Sequence, residues 1–161
     1  MAQKPESTFI ASVHRYLPLE LHAEKMNNPY SSGTPDVYYS GNKADLWCEY
    51  KFFPKLPVRS PTLKADLSPL QLKWLRGRYT EGRNVFVIVG CPAGGVVLSN
   101  LEWENPVPLI TFTSRIISRA ALAEWLSTAT LETPYGPTNA TRNLRRTRKT
   151  VACDERPTDS G

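Results

Sequence analysis

Histidine and cysteine are scarce in this sequence, and their scarcity limits the kinds of metal site that it can build. The 161 residues include two histidines and three cysteines. Cys48, Cys91 and Cys153 are widely spaced and form no Cys-x-x-Cys pair, which argues against a disulfide scaffold and against a structural zinc site. Any metal must therefore be held mainly by oxygen ligands, a set that favours Mg²⁺ or Mn²⁺.

Long apolar runs are also absent. No stretch approaches the ~18 apolar residues that a transmembrane helix needs, and the first residues lack the apolar core of a signal peptide. We therefore expect no membrane partner and, by default, an intracellular, cytoplasmic location. Length and composition predict one domain over residues 1–131. Residues 132–161, where Pro, Thr, Asn, Gly and Arg dominate, are expected to form a disordered basic C-terminal tail.

What is present is an alternation of helical and extended patterns, which predicts an α/β fold. Helices are predicted at 6–17, from Ser68-Pro69 to about 79–82, and at 114–128. Strands are predicted at 36–39, 45–53, 84–90 and 96–99. Residues 18–34 are predicted to be irregular, and residues 54–67 to form an extended, basic, partly mobile loop. The strands at 45–53 and 84–90 flank a helix, so they form a β-α-β unit and are expected to pair in parallel. A mixed central sheet flanked by helices follows.

One hairpin carries the candidate chemistry. Pro35-Asp36 enters it, and Glu49-Tyr50-Lys51 lies on its second strand. Strand alternation places Glu49 and Lys51 on the same face, while both faces are largely apolar, as in a buried central strand. Asp36 and Glu49 could share one Mg²⁺ through oxygen, and the Lys51 ammonium could orient an attacking water. The alternative is a buried ion pair of Lys51 with one of the carboxylates.

Four short motifs in a fixed order extend this pattern. They are Gly-x-Pro-Asp at 33–36, Glu-x-Lys at 49–51, Leu-Ser-x-x-Gln at 67–71 and Gly-x-x-Val at 82–85. The ordered set resembles the PD-(D/E)XK nuclease superfamily and, within it, the virus-type replication–repair nuclease group. Together with the first helix, the resemblance covers most of residues 6–99. The long, proline-rich loop between Lys51 and Ser68 departs from the family pattern, and the C-terminal tail lies outside it.

The resemblance implies a restriction-endonuclease-like core and a role for each matching residue. Asp36 and Glu49 match the metal ligands, with the Tyr50 carbonyl as a further ligand, and Lys51 matches the catalytic lysine. Gln71 matches a helix glutamine that supports the site, although it could also be an ordinary exposed helical residue. Glu6 matches an acidic residue of the first helix, where a favourable charge on the helix dipole is an equally good interpretation.

Basic residues are concentrated directly after the candidate site. Residues 51–83 hold eight Lys and Arg against two acidic side chains, whereas residues 1–50 carry an acidic excess. Such a surface suits a phosphate backbone, and a solvated surface without a partner is the alternative. The candidate nucleic-acid contacts are Lys55, Arg59, Lys64 and Lys73, followed in the tail by Arg142, Arg145, Arg146 and Arg148. The four tryptophans are assigned to the core and given no DNA role.

Small, free-standing members of the resembled family cut branched DNA such as four-way junctions as homodimers. The resemblance therefore implies a Mg²⁺-dependent DNA endonuclease, with Mn²⁺ as a substitute, that is structure-selective and acts as a homodimer. A restriction-like or general exo- or endonuclease with the same site is the nearest alternative. A non-catalytic DNA-binding protein that retains the fold, and a protein-interaction module with a basic face, are two alternatives from other classes.

Overall fold

The computed structural model describes residues 4–132 of the chain. Its helices are α1 (Pro5–His14), α2 (Pro69–Thr80), α3 (Leu109–Ser114), α4 (Arg119–Thr130) and a 3-10 turn (Glu102–Glu104). Its strands are β1 (His22–Lys25), β2 (Val37–Ser40), β3 (Asp45–Phe52), β4 (Thr62–Leu63), β5 (Val85–Cys91), β6 (Gly94–Leu98) and β7 (Val107–Pro108). Within this part of the chain, no helix has both the length and the apolar character needed to cross a bilayer.

Five strands form one mixed sheet in the order β1-β2-β3-β5-β6. β3 and β5 run parallel, since α2 carries the chain back across the sheet between them, and the other neighbours are antiparallel. The predicted α/β class with a mixed central sheet is confirmed, as is the parallel pairing of these two strands. β3 occupies the centre, which explains why both of its faces are rich in apolar residues.

The core lies on both faces of the sheet. On one face, α1 and α4 pack against the even-numbered side chains of β3, including Cys48 and Tyr50. On the other face, α2, α3 and the 3-10 turn enclose a second cluster centred on Leu75, Trp103 and Phe112. Glu49, Trp47 and Lys51 project toward this second face. The two candidate charged residues of β3 therefore lie on the side that α2 covers.

Four predicted boundaries differ from the structure. Residues 18–34 are not wholly irregular, because residues 22–25 form an edge strand, β1, through its pairing with β2. The 54–67 segment is more ordered than a loop, because β4 pairs with β7 and Leu63 is buried. The helix predicted at 114–128 corresponds to α4, which begins at Arg119 because Ile117 forms a bridge to Gly95, and the separate helix α3, which ends at Ser114, was not predicted. The first helix ends at His14 rather than Leu17, ahead of Pro18, which disfavours helix in the residue before it.

Candidate active site

An ammonium and an amide group both contact the Glu49 carboxylate. Lys51 Nζ lies 3.1 Å from Glu49 Oε1, and Gln71 Nε2 donates to the same oxygen at 2.5 Å. Glu49 is only 1% exposed, so its carboxylate has left bulk water and depends on these two neighbours. Because side chains alternate along β3, Glu49 and Lys51 lie on the same face of the sheet, and α2 places Gln71 over that face.

Asp36 joins this group from the entry to β2. Its Oδ2 accepts a hydrogen bond of 2.9 Å from the Tyr50 backbone N–H, and its own carbonyl accepts from Met26 N at 2.7 Å. Tyr50 lies two residues past the last β2–β3 pair, Val37–Cys48, so the Asp36 side chain continues the pairing where the ladder ends. This contact fixes Asp36 beside the strand that carries Glu49 and Lys51.

Burial and mutual repulsion dominate the electrostatics of the two carboxylates. Burial contributes most to raising the pKa of Glu49, the nearby Asp36 carboxylate adds to the effect, and Lys51 opposes both, so that the pKa is about 8. Burial also raises the pKa of Asp36, against the lowering effects of the Tyr50 N–H and of Lys51. One ammonium thus does not fully compensate two buried carboxylates, which leaves the cluster suited to an additional cation.

Glu6 faces the same cluster from the first turn of α1. Its side chain is half-buried, and its pKa is raised, first by burial and then by the Asp36 carboxylate, while Lys51 opposes the shift. The acidic residue of the first helix is therefore brought within electrostatic range of the group. Its position in the first helical turn also suits the dipole interpretation, and the two roles are compatible.

Gln71 forms two hydrogen bonds with Ser68 that the sequence analysis did not predict. Ser68 Oγ accepts from Gln71 N at 3.2 Å, and Gln71 Oε1 accepts from Ser68 N at 2.9 Å, so the two residues form a capping box at the start of α2. With its oxygen held in the cap, the amide nitrogen of Gln71 is directed at Glu49. The sequence signal was present as Ser-x-x-Gln, the usual signature of a capping box.

Gly33 brings the segment before Asp36 against the first turn of α2. Its φ of +98° is left-handed, and a Cβ at this position would lie 2.5 Å from the Leu70 carbonyl oxygen. Only glycine fits both constraints without strain. The Gly-x-Pro-Asp motif thus has a structural reason for its first residue, because the close approach places Asp36 and Gln71 on adjoining segments.

Lys25, on β1, is a charged neighbour that sequence reasoning missed. It lowers the pKa of Asp36 and of Glu6 through its charge, and its Nζ donates to Ser7 Oγ at 3.1 Å. It therefore ties the edge strand to α1 on the side of the cluster opposite α2. No local pattern distinguishes this lysine, since its position depends on the pairing of β1 with β2.

The cluster offers carboxylate oxygens, the ligand type that a hard divalent cation requires. Residues 4–132 contain no group of three or more His, Cys, Asp or Glu side chains placed to hold a metal. Asp36 and Glu49 are a pair, and Mg²⁺ is commonly held by one or two carboxylates while water and phosphate oxygens complete its octahedron. Two close carboxylates that are incompletely neutralised therefore fit a hard divalent cation.

The predicted nucleic-acid contacts are spread along the surface. Lys55, Arg59, Lys64 and Lys73 are all exposed, distributed over the segment after β3, the residue after β4, and α2. Their contact with DNA stays a prediction. Arg142, Arg145, Arg146 and Arg148, together with almost all of the predicted tail, lie outside the described residues.

Comparisons with known proteins complete the description of the site. No protein-family model matches the sequence, and no curated protein does. Among solved structures, the chain is similar to the 1.6 Å structure of Archaeoglobus fulgidus Hjc, a Holliday junction resolvase from an archaeal hyperthermophile. That similarity has a TM-score of 0.43 and 18% identity, and it covers 65% of this chain and 87% of the other.

Proposed function

We propose that this chain is a metal-dependent DNA endonuclease that hydrolyses phosphodiester bonds at the Asp36–Glu49–Lys51 cluster. The observation that carries the proposal is the convergence of two carboxylates and one ammonium at a buried position, with Gln71 holding Glu49. A buried ion pair alone would need one carboxylate, and it would not explain why a second one is fixed beside it by a backbone N–H.

Each residue has a distinct part in the proposed reaction. Asp36 and Glu49 would hold Mg²⁺ or Mn²⁺, with the Tyr50 carbonyl as a further ligand. When bound, such an ion supplies Lewis-acid stabilisation of phosphodiester charge and lowers the pKa of a water. Lys51 orients the attacking water and stabilises negative charge that develops on the phosphoryl oxygens. Gln71 orients the Glu49 carboxylate, and Glu6 adds negative potential at the edge of the site.

Branched DNA, such as a four-way junction, is the proposed substrate, and a homodimer is the proposed acting form. Support comes from the ordered motifs shared with the resembled nuclease family, whose small members act in this way. A homodimer would present two sites, as the cutting of two strands of one junction requires. A restriction-like or general nuclease would use the same residues on linear duplex, so the choice of substrate separates it from the main proposal.

The test is a cleavage assay on a panel of substrates. Purified full-length protein is mixed with a labelled four-way junction, linear duplex and single strand, with and without Mg²⁺ or Mn²⁺. We expect metal-dependent cutting of the junction in preference to the duplex. Equal cutting of linear duplex would favour the general nuclease. Binding without cleavage under either metal would reject the enzyme and leave a DNA-binding protein, and an absence of both would favour the protein-interaction alternative.

A further inference from the structure

A group of aromatic side chains lies on the same face of the sheet as the candidate active site. Tyr38 on β2 is paired across the strands with Trp47 on β3, and their ring centroids are 4.7 Å apart. Trp74 of α2 packs against Trp47 in a T-shaped arrangement, with centroids 5.4 Å apart. Tyr38 and Trp47 are half-buried, and both line an open pocket on this face. We call Tyr38 and Trp47 the aromatic platform.

The aromatic platform is continuous with the candidate site along β3. Trp47 precedes Glu49 by two residues, and both project toward the α2 side, so their Cα atoms are about 7 Å apart at the usual rise of a strand. On β2, Tyr38 follows Asp36 by the same two-residue step. A DNA strand with a phosphate at Asp36 and Glu49 would therefore have its neighbouring nucleotides within reach of the platform.

An open pocket adjoins the platform. It has a volume of about 430 Å³ and is lined by Tyr38, Asp45, Trp47, Gly82, Arg83 and Asn84. Arg83 is exposed and forms no ion pair within residues 4–132, so its guanidinium is available to a phosphate. Asp45 accepts from Ser40 Oγ at 2.7 Å and is also hydrogen-bonded to the Tyr38 side chain, and as an exposed carboxylate it keeps acceptor positions for the exocyclic amine of a base.

We propose that the aromatic platform and its pocket bind an unpaired nucleotide of the DNA substrate, by stacking its base on Tyr38 and Trp47 while Arg83 contacts its phosphate. This inference rests on the proposed function, because it names which feature of branched DNA the same surface selects. Bases in a continuous duplex are stacked on one another and offer no free face to an aromatic ring. A flap, a single-stranded arm or an unstacked position at a junction does offer one.

The pocket chemistry favours a nucleotide over an acidic protein surface. Asp45 would repel a carboxylate of an acidic protein, whereas it could accept a hydrogen bond from an amino group on a base edge. Flat aromatic faces also suit any base, because every base has a π-face, and such binding tolerates changes of sequence. The platform therefore predicts selection for unpaired structure without sequence preference.

The test measures binding without divalent metal, so that it does not depend on cleavage. A duplex with a single-stranded arm carries 2-aminopurine in the arm, and a matched duplex has no arm. In the wild type we expect quenching of the probe and tighter binding of the armed DNA. Tyr38→Ala should weaken armed-DNA binding by about tenfold, in the range observed when one stacked base is lost, and duplex binding by less than twofold.

Three further variants control for misfolding and for nonspecific charge effects. Tyr38→Phe keeps the ring and should retain both quenching and affinity. Arg83→Ala should weaken binding of the armed DNA more than Arg78→Ala does, because the guanidinium of Arg78 is already paired with Glu81 at 2.9 Å. The proposal would be overturned if Tyr38→Ala lost armed and arm-free DNA binding equally, or if it quenched the probe as the wild type does. A failure of the wild type to bind either DNA would overturn it as well. If the platform binds the arm but no substrate is cut with Mg²⁺, the proposed nuclease fails while this inference stands.

Discussion

At the residue scale, the candidate site is defined by the crowding of charge around one buried carboxylate. Glu49 has a cation, an amide and a second carboxylate as neighbours, and each reaches it from a different element or position. The arrangement is costly in a folded protein unless an additional cation or a substrate group uses it. That cost is the physical reason for interpreting these residues as functional.

Metal binding gives the first prediction at this scale. Asp36→Asn removes one of two carboxylate charges with little change of shape, so we expect Mn²⁺ affinity to fall by at least about tenfold in calorimetric titrations. Asp45→Asn is the matched control, because Asp45 is an exposed carboxylate at the other end of β3. Similar Mn²⁺ affinities for wild type and Asp36→Asn would remove Asp36 from the metal site.

The capping box allows the two roles of Gln71 to be separated. Ser68→Ala and Gln71→Ala both break the cap, and each should lower the free energy of unfolding by about 1 kcal/mol in denaturant titrations. Only Gln71→Ala also removes the hydrogen bond to Glu49, so it alone should slow DNA cleavage markedly, by about tenfold or more. Equal cleavage rates in the two variants would mean that Gln71 serves the helix and not the site.

At the element scale, the site depends on the close approach of the segment before β2 to the start of α2. Gly33→Ala would force a Cβ into the Leu70 carbonyl at a left-handed φ, and we expect destabilisation on the order of 1 to 3 kcal/mol. Gly82→Ala is the control, since its φ of +76° is also left-handed but a Cβ there meets no atom within 4 Å.

Thermal unfolding and cleavage, measured together, test this interpretation. Gly33→Ala should lose more stability than Gly82→Ala, and its cleavage rate should fall as well because Asp36 is displaced relative to Gln71. An equal loss of stability in both variants would show that the contact with Leu70 does not hold the segment.

The parts of the fold that were predictable depend on local signals. β3 was recognised from its alternation and α2 from Ser68 and Pro69, because these signals lie within the elements themselves. Asp36, Glu49 and Lys51 could be placed together for the same reason, since strand alternation and a short hairpin decide their positions. β1 was missed because three of its four residues are exposed, and only its pairing with β2 makes it a strand.

Features of the site that depend on tertiary contacts were not predictable. Lys25 reaches the cluster only through the β1–β2 pairing, and the Gln71 amide is directed at Glu49 only once α2 packs over β3. The half-buried state of Trp47 is a further example. A tryptophan on a central strand usually indicates core, whereas Trp47 is half-buried and lines the pocket beside Gly82.

At the scale of the whole molecule, a buried hydrogen-bonded chain connects α1 to the strands beneath the site. His14 Nε2 lies 2.8 Å from Tyr39 Oη, and Tyr39 Oη lies 2.6 Å from Tyr50 Oη. The chain joins α1, which carries Glu6, to β2, which Asp36 directly precedes, and to β3, which carries Glu49. Burial, with a smaller effect from Lys25, lowers the pKa of His14 to about 4.

This shift predicts a loss of stability in acid. The unfolded chain takes up a proton on His14 near pH 6.5, whereas the folded protein does not until about pH 4. The contribution of neutral His14 to stability is therefore complete above pH 6.5, and it declines as the pH falls toward 4, by on the order of 2 to 3 kcal/mol. His14→Gln keeps a polar partner for Tyr39 but cannot titrate. Denaturant titrations should show wild-type stability falling relative to His14→Gln across this window, and a constant difference would contradict the prediction.

The most direct test of the central claim is single-turnover cleavage of a labelled four-way junction in Mg²⁺ by wild type and by Lys51→Ala. Arg15→Ala, an exposed basic residue at the end of α1, is the matched control. We predict cleavage by wild type and Arg15→Ala, a loss of about a hundredfold or more in Lys51→Ala, and retained junction binding in Ca²⁺ for all three proteins. Cleavage by Lys51→Ala at the wild-type rate would contradict the account.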